Sequence, residues 1–419
     1  MTAALWPALV PLQDEPAPDR VAVAASGARV RFADGRDRLC GTSGLWNANL
    51  GHGHPRVADR IAGAARDLGA LPLFRYGHES AEDASRALLT FAGPGFERVA
   101  WTTSGGSANE AAVKLSRQAH ALAGEPGRRI VVAFRGGYHG LTFGSAAHTG
   151  EDVLQRLYGI DQREVRFVDP ADPAPLERLL RTHGDRVACV IAEPVLGSGT
   201  VPLSDAVVAA LAGVPAAGAH LVADEVATGF GRLGVDLGHR AWPVRPDLLL
   251  LSKGLTNGAV PGAAVLAAPR IVAAFRERDA VLMHAETGAG HPLATAAASA
   301  VLATFDDEDV LDRAARAGDR LGDLLDDAVD ALPAAIGHVG RGLFRTLQLA
   351  DDAGRPVAPA VVASLVQEGL DRGAVLHPAP HGVQLVPPLT IADDDLDALV
   401  EIAVDAARAA APRALEAIA

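Results

Sequence analysis

The stretch Asp247-Leu-Leu-Leu-Leu-Ser-Lys-Gly254 places a lysine close behind a run of four leucines. A short apolar run bounded by polar residues is typical of a strand that is buried on both faces of a sheet. A lysine at the end of such a strand is desolvated, which lowers its pKa and makes the neutral amine available as a nucleophile. Lys253 is also one of only two lysines in the chain. The other, Lys114, is expected on a helix face in a structural role.

A second apolar run, Ala219-His-Leu-Val-Ala223, ends in the acidic pair Asp224-Glu225. An isolated acidic pair of this kind more often caps a turn than takes part in a reaction. Here, however, an aspartate and a lysine follow successive predicted strands and lie 29 positions apart. In enzymes that use pyridoxal 5′-phosphate (PLP), a lysine binds the aldehyde and an acidic residue holds the ring nitrogen. Asp224 and Lys253 therefore predict a PLP site.

The overall composition narrows the class of protein. The chain has 419 residues, enough for two domains, and a formal net charge of −13, which argues against nucleic acid and anionic membranes as partners. Its two cysteines, Cys40 and Cys189, lack the spacing of a metal site and are typical of a reducing cytoplasm. No signal peptide is visible in residues 1–6 and the apolar runs are short. We therefore expect a cytoplasmic protein with no metal ion and no membrane span.

Strand-like and helix-like segments alternate through the middle of the chain. This pattern predicts an α/β fold with a mostly parallel central sheet flanked by helices. From about residue 306 the character changes, and a long charged helix (about 307–331) precedes further strands and helices. We predict a large PLP-binding domain at residues 51–305 and a smaller α+β domain built from both termini, residues 1–50 and 306–419.

Three further segments are suited to the predicted cofactor. Thr103-Ser-Gly-Gly-Ser-Ala-Asn-Glu110 joins a predicted strand to a predicted helix, where glycine amides and a helix N-terminus favour an anion. Taken alone, this segment is equally compatible with a tight turn, and no lysine follows in Walker spacing. Tyr138 follows the next strand and can stack on a flat ring, although ordinary packing is the usual role of a lone tyrosine. Thr287, five residues before Pro292, can donate to a phosphate.

The joint pattern resembles the class III aminotransferases, which are PLP enzymes of fold type I. The family's motifs occur in the expected order and approximate spacing, from Gly44-Leu-Trp46 to Val386-Pro-Pro-Leu389, and so cover nearly the whole chain. Between those ends the motifs are Ser104-Gly-Gly-Ser-Ala-Asn109, Tyr138-His-Gly140, Glu193-Pro194, Asp224-Glu-Val226, Gly229-Phe-Gly-Arg232, Ser252-Lys-Gly254 and Thr287. The resemblance implies the PLP-dependent transferase fold type I, PLP as cofactor and amino transfer as the reaction.

The resemblance also implies roles around the PLP ring. Lys253 is the catalytic lysine, which binds the aldehyde and moves the proton between substrate and cofactor. Asp224 pairs with the pyridine nitrogen, Tyr138 stacks on one face of the ring, and Val226 packs on the other face. Glu193 supports the cofactor through hydrogen bonds.

For the phosphate, the resemblance implies the amides of Gly105 and Gly106, with Thr287 reaching it from a neighbouring subunit. A homodimer with shared active sites is therefore expected. Many family members have Gly-Ser where this chain has two glycines. Ser104 or Ser107 is the candidate to replace the lost hydroxyl.

The residues expected to bind substrate depart from the family pattern. The resemblance places Trp46 at the substrate entrance. Members that recycle glutamate often carry an arginine for the α-carboxylate about ten residues before Pro-Pro-Leu, but here His377 lies in that region. Ser198 stands where some members have a gating glutamate. We therefore expect an unusual treatment of the substrate carboxylate, unless Arg75 or Arg232 replaces the arginine.

The segment Leu73-Phe-Arg-Tyr-Gly-His-Glu79 leads to a more specific hypothesis. Phe74 and Tyr76 are candidates for an aromatic substrate mouth, although a dimer-interface loop is at least as good an interpretation. The segment also resembles part of the aminotransferases of daptide-type ribosomal peptide biosynthesis, which aminate a ketone at the C-terminus of a precursor peptide. Three other segments share that resemblance: residues 39–47, 253–258 and 284–287.

These observations predict a PLP-dependent aminotransferase that moves an amino group from an amine donor to a ketone or aldehyde acceptor. The partners would be small molecules or a modified peptide, in natural product biosynthesis. An aminomutase, racemase or decarboxylase of the same fold would use the same lysine and aspartate, because the cofactor stabilises the same carbanion. A PLP-binding scaffold without catalytic activity is the third interpretation.

Overall fold

A computed structural model describes residues 4–11 and 17–416 of the chain. Its strands are β1 (Ala22–Ser26), β2 (Arg29–Phe32), β3 (Asp37–Cys40), β4 (Arg98–Thr102), β5 (Ile130–Phe134), β6 (Val165–Val168), β7 (Val187–Ala192), β8 (Val195–Leu196), β9 (Val201–Pro202), β10 (His220–Asp224), β11 (Leu248–Leu251), β12 (Ala263–Ala267), β13 (Ala335–Arg341), β14 (Phe344–Leu349), β15 (Ala374–Val375), β16 (His377–Ala379) and β17 (Gly382–Leu385). Its helices are α1 (Ser43–Trp46, a single left-handed turn), α2 (Pro55–Asp67), α3 (Glu79–Ala92), α4 (Gly105–Leu122), α5 (Phe143–His148), α6 (Ala174–His183), α7 (Asp205–Ala210), α8 (Gly213–Ala216), α9 (Pro269–Glu277), α10 (Pro292–Asp307), α11 (Val310–Ala331), α12 (Pro359–Arg372) and α13 (Asp393–Glu416).

The central sheet has seven strands in the order β4-β12-β11-β10-β7-β5-β6. Among these, β12 runs antiparallel to both neighbours and the others are parallel, so the expected mostly parallel sheet is confirmed. Every residue of β5, β7, β10, β11 and β12 is buried. Helices such as α4 pack on the sheet, which is why these strands read as unbroken apolar runs. Burying each leucine of β11 stabilises the fold by about 1.5–3 kcal/mol.

The parallel pairing of β10 with β11 determines where the site lies. Asp224, at the end of β10, is in register with Leu250 of β11, and Lys253 comes two residues after β11 ends. Side chains at the carboxyl ends of neighbouring parallel strands meet at one edge of the sheet. The turn that opens α4 at Gly105 and the loop after β5 that carries Tyr138 lie at this same edge.

Segments from both ends of the chain form smaller sheets beside the central one. The strands β1, β2 and β3 are joined by β15, which pairs parallel to β3. A second sheet has the order β13-β14-β17-β16, and α12 packs against α13. The long charged helix expected from about residue 307 begins at Val310, because Asp309 adopts left-handed backbone (φ 49°) between α10 and α11. The domain boundaries near residues 50 and 305 stay a prediction.

Two further features concern the described residues as a whole. None of their helices is long and apolar enough to cross a membrane. Cys40 and Cys189 are both buried and form no disulfide.

Candidate active site

A cavity of about 450 Å³ lies at the carboxyl edge of the central sheet. Segments at the ends of seven different strands line it, so residues far apart in sequence share one space. The lining residues are Trp46, Ser104, Gly105, Gly106, Asn109, Tyr138, His139, Gly140, Leu141, Thr142, Glu193, Gly197, Asp224, Val226, Ala227, Ser252 and Lys253. Eight of the residues predicted for the site are among them: Lys253, Asp224, Tyr138, Gly105, Gly106, Val226, Glu193 and Trp46.

Lys253 enters this cavity from strained backbone. Its φ is 46°, a left-handed conformation that costs a non-glycine residue about 1–2 kcal/mol and recurs at functional sites. The Nζ atom lies 4.9 Å from the centre of the Trp46 ring. Burial lowers the pKa of Lys253, and the attraction of Asp224 and Glu193 offsets only part of this effect. The amine is therefore neutral more often than a lysine in water, which suits a nucleophile.

Asp224 is a buried carboxylate with three partners. It accepts hydrogen bonds from Asn109 Nδ2 (2.8 Å) and the Val226 amide (3.1 Å), and its Oδ2 lies 2.7 Å from His139 Nδ1. Burial alone would raise the pKa of Asp224, but the hydrogen bond and charge of His139, together with the other two donors, hold it below its usual value. For His139, burial opposes protonation, but Asp224 outweighs it and the pKa is raised. Asp224 is thus suited to stay ionised against a protonated ring nitrogen.

His139 and Asn109 are site residues to which sequence reasoning assigned no role. Both lie within segments singled out for other residues, Tyr138-His-Gly140 and Thr103-Ser-Gly-Gly-Ser-Ala-Asn-Glu110. Their contact with Asp224 spans 85 and 115 positions of sequence. No local pattern reports contacts of that range, so only the motif that contains each residue could have pointed to it.

Glu193 holds two loops of the cavity together. Its carboxylate accepts hydrogen bonds from the amides of Tyr138 and Gly197, each at 3.0 Å. Burial raises the pKa of Glu193 above its usual range. Because Tyr138 is only half-buried, its ring faces space that a ligand can fill.

The turn before α4 is built so that its backbone can approach a ligand. Ser104 caps the helix by accepting a hydrogen bond from the Ser107 amide (3.1 Å), which leaves the first amides, at Gly105 and Gly106, free for an anion. A Cβ atom at Gly105 would lie 2.7 Å from Val226 Cγ1, so a side chain does not fit there.

Ser107 and Thr287 do not line the cavity of their own chain. The Ser107 hydroxyl donates to Glu286 Oε2 (2.6 Å) and lies 3.1 Å from His284 Nε2, so it faces the loop before α10. Ser104, which does line the cavity, is therefore better placed to replace the lost hydroxyl. Thr287 is exposed on that loop, and its predicted service to a neighbouring subunit stays a prediction.

The predicted substrate residues divide into two groups. Trp46 is 8% exposed and packs edge-to-face on Phe344 (ring centres 5.3 Å apart) and on His377 (5.7 Å). Burial lowers the pKa of His377, so that its ring is neutral at neutral pH. Phe74 and Tyr76 are 58% and 68% exposed and lie outside the cavity. The aromatic mouth expected from them does not form within this single chain, because the segment between α2 and α3 leaves both rings in solvent.

Arg232 does not replace the missing carboxylate-binding arginine. Its fully buried guanidinium donates to the carbonyls of Pro387 (2.5 Å) and Leu343 (3.3 Å), to Ser43 Oγ (3.2 Å) and to Asn49 Oδ1 (2.7 Å). These bonds leave little capacity for a substrate, and the side chain joins the first loops of the chain to the last strands. Arg75, the other substitute considered, is exposed and outside the cavity. Among the described residues that line the cavity, Lys253 is the only lysine or arginine.

The donor set fits PLP. A lysine with a lowered pKa can bind an aldehyde, and a buried carboxylate can hold a ring nitrogen. A Cβ atom on Gly105 would clash with Val226, and a Cβ atom on Gly140 would lie 2.7 Å from Gly106 Cα. Neither position has room for a side chain, so the anion-binding turn stays open. These features suit a flat, phosphorylated aldehyde.

Comparison with known proteins agrees with this chemistry. The family model described as "Aminotransferase class-III" matches residues 12–407. An omega-aminotransferase of Caulobacter vibrioides is 31% identical over 426 residues, which cover 95% of this chain and 95% of that protein. An acetylornithine aminotransferase of Streptomyces coelicolor is 35% identical over 387 residues, which cover 90% and 88%. The crystal structure of a PLP-bound amine transaminase from an uncultivated Pseudomonas species is similar with a TM-score of 0.88 and 32% identity, covering 98% of this chain and 99% of that one.

Proposed function

Because the chain belongs to the class III aminotransferases, PLP-dependent enzymes of fold type I, we propose a specific kind of amino transfer for it. The donor is an amine, and the acceptor is a ketone or aldehyde that bears no carboxylate at the reacting carbon. The observation that carries the proposal is that no arginine lines the cavity among the described residues.

Four residues would bind the reactive ends of the cofactor. PLP, when bound, withdraws electrons from the substrate carbon that loses its proton. The Lys253 amine would bind the aldehyde and then carry that proton. The Asp224 carboxylate, kept ionised by its three donors, would hold the ring nitrogen protonated. The amides of Gly105 and Gly106 would bind the phosphate.

The flat ring would lie between Tyr138 and Val226, which both line the cavity. Glu193 would act on Tyr138 through the backbone, because its carboxylate accepts the Tyr138 amide. Its contribution is to position the stacking residue.

The positions at which family members bind or gate an α-carboxylate supply no free cation here, which supports an acceptor without an α-carboxylate. His377 is neutral, Ser198 carries no charge, and the guanidinium of Arg232 is engaged elsewhere. Moving a carboxylate out of water without pairing it with a cation costs desolvation free energy on the order of several kcal/mol. An α-amino acid would meet that cost here, whereas a simple amine would not.

A matched pair of donors tests this proposal. Isopropylamine and alanine differ by the exchange of a methyl group for a carboxylate. With the PLP-loaded enzyme, isopropylamine should bleach the visible cofactor band with the higher kcat/KM, and an added ketone should restore the band. Restoration by the ketone also separates amino transfer from aminomutase, racemase and decarboxylase chemistry. A higher kcat/KM for alanine would contradict the proposal.

A peptide with a C-terminal ketone is one acceptor that meets the same condition. Support for it comes from the four segments that resemble daptide-type enzymes and from the missing carboxylate ligand. A synthetic peptide that ends in a methyl ketone should then be aminated with a higher kcat/KM than a small methyl ketone. Equal or poorer amination of the peptide would contradict a peptide acceptor and, with it, a role in natural product biosynthesis.

We further propose a cytoplasmic homodimer with shared active sites. Support for the dimer comes from large apolar side chains left in solvent, including Phe74, Tyr76 and Met283. Support for the cytoplasm comes from the two buried cysteines without a disulfide. Light scattering on the PLP-loaded protein should give twice the mass of the 43.1 kDa chain.

A further inference from the structure

A second cavity, of about 400 Å³, lies away from the active site. The loop between α3 and β4 forms one side of it, and the segment that precedes β11 forms the other. None of the described residues that line it also lines the active-site cavity. Small-molecule sites commonly have volumes of about 300–1,000 Å³, so the size suits a small ligand. Because Trp242 forms part of the wall, we call this space the Trp242 cavity.

Three rings form an aromatic wall on the Trp242 cavity. Phe96 packs edge-to-face on His239 (ring centres 6.4 Å apart), and His239 packs in the same way on Trp242 (6.2 Å). His239 Nδ1 lies 2.6 Å from Glu225 Oε1, and the His239 amide donates to the same oxygen at 2.9 Å. Because Glu225 is fully buried, it fixes the central ring of this wall. A flat ligand therefore meets an aromatic surface that is already in place.

Two nitrogens of this wall have no hydrogen-bond partner among the described residues. They are Trp242 Nε1 and His239 Nε2, and the two residues are more than nine-tenths buried. Both nitrogens keep accessible surface, in contrast to the unpaired Trp46 Nε1, so a ligand in the cavity can reach them. Buried polar groups are nearly always paired. An indole N–H donates and cannot accept, so the wall favours a ligand that carries an acceptor.

The charged groups around the Trp242 cavity suit an anion. Arg240 and Arg245 line it, and no Asp or Glu is among its described lining residues, in a chain whose net charge is −13. Arg240 is already paired with Asp236 (2.5 Å). Arg245 Nη1 donates to the Pro94 carbonyl (3.1 Å), and the guanidinium forms no ion pair within the described part of the chain. The bond to Pro94 holds it at the cavity wall and leaves its other N–H groups for a ligand.

We propose that the Trp242 cavity is a second ligand site, which binds a small aromatic carboxylate. The ring of the ligand lies against the aromatic wall, its carboxylate pairs with Arg245, and Trp242 Nε1 supplies a further donor. Aromatic rings attract one another in stacked and edge-to-face contacts. Arginine binds carboxylates through a planar fork of N–H groups. The site lies outside the catalytic machinery, so this inference goes beyond amino transfer and does not depend on it.

Benzoate and benzamide test the role of charge, because they share a ring and a planar head group but only benzoate is an anion. The PLP-loaded wild type should bind benzoate about three- to tenfold more tightly, as expected of one partly exposed charge-assisted contact. Ligand-observed NMR titration at low ionic strength gives both Kd values. Arg245→Gln should bind the two equally. Arg166→Gln is the matched control, because Arg166 is also exposed and donates only to carbonyls, but lies on β6 at the far edge of the central sheet.

Acetate tests the role of the aromatic wall. It keeps the charge but buries no ring, so it should bind at least about tenfold more weakly than benzoate. Equal binding of acetate and benzoate overturns the proposal, and so does a wild type that does not prefer benzoate to benzamide, whether or not Arg245→Gln folds. A preference for benzoate that survives in Arg245→Gln would place the anion elsewhere, and the inference would then be wrong.

Discussion

The Asp224 carboxylate and the His139 imidazole are joined by a buried contact of 2.7 Å between Oδ2 and Nδ1. Each side chain moves the pKa of the other, upward for His139 and downward for Asp224. The carboxylate therefore stays ionised at a depth where burial alone would favour its protonated form. His139 lines the cavity and keeps ionised a carboxylate that it precedes by 85 positions.

Replacing His139 tests this coupling. In His139→Phe, the buried Asp224 loses a charged partner, and its pKa rises from the lowered native value. Because the reaction needs the ionised carboxylate, the acid limb of the pH profile of kcat should move to higher pH. We expect kcat at neutral pH to fall about 10–100-fold, the size of a lost hydrogen bond to a charged group. An unmoved acid limb would show that His139 only fills space.

The two lysines of the chain offer an internal control. Borohydride reduction of the PLP-loaded protein, followed by peptide mass spectrometry, should label Lys253 and leave Lys114 unlabelled. Lys253→Ala should lose the visible cofactor band and at least about 10³-fold in kcat, because the nucleophile is removed. Lys114→Ala should keep both, since Lys114 is exposed and its Nζ donates to the Met283 carbonyl. A visible band that survives in Lys253→Ala would contradict the assignment of the lysine.

The anion-binding turn can be blocked and then reopened. Gly105→Ala places a Cβ atom 2.7 Å from Val226 Cγ1, and overpacking of this kind costs about 1–3 kcal/mol. The Kd for PLP should therefore rise about 10–100-fold, as measured by titration of the visible band. Adding Val226→Ala should restore part of the affinity by removing the clash. Gly127→Ala, where a Cβ meets nothing within 4 Å, should leave the Kd unchanged.

Mixed dimers test whether Thr287 serves the neighbouring subunit. Lys253→Ala and Thr287→Ala chains, co-expressed with different tags, give heterodimers that can be purified by both tags. If Thr287 reaches across the interface, one site of each heterodimer is intact and about half of the wild-type activity returns. If Thr287 serves its own chain, both sites carry a substitution and activity stays at or below that of the Thr287→Ala parent.

A buried histidine pair predicts how stability depends on pH. The rings of His120 and His220 stack 4.0 Å apart, and burial, with further repulsion from nearby arginines, lowers the pKa of both, that of His220 to about 2. Both are neutral in the fold, whereas the unfolded chain binds protons below about pH 6.5. The stability that the two neutral rings contribute to the folded state is therefore present above about pH 6.5 and is lost as the pH falls below that value.

Urea unfolding at pH 7.5 and pH 5 measures this loss. Between these values, the free energy of unfolding should fall by about 2 kcal/mol more in the wild type than in His220→Phe, which keeps a stacking ring but cannot bind a proton. The exposed His183 provides the control, because His183→Phe should retain the wild-type pH dependence. Equal losses in wild type and His220→Phe would mean that His220 does not stay neutral.

Much of the fold and the cofactor site could be predicted from local patterns. The apolar runs before Asp224 and Lys253 identified two buried strands, and the order of strands and helices implied parallel pairing, which brings both residues to one edge. Gly105 and Gly106 stood out because a strand, a glycine pair and a helix are adjacent in sequence. These inferences succeeded because burial and helix capping depend on neighbouring residues.

The sequence by itself thus determined the central sheet and the kinds of side chain that meet at its carboxyl edge. Only the tertiary structure decided how the remaining polar groups pair. It commits Arg232 to the carbonyl of Pro387, 155 positions away, instead of to a substrate, and it turns Ser107 toward Glu286. Among the residues that the structure describes, it also leaves the Trp46 N–H without a partner, on a left-handed turn held from distant strands. The physical reason is that hydrogen bonds form between groups that the fold brings within about 3 Å, and no local pattern records which distant group that will be.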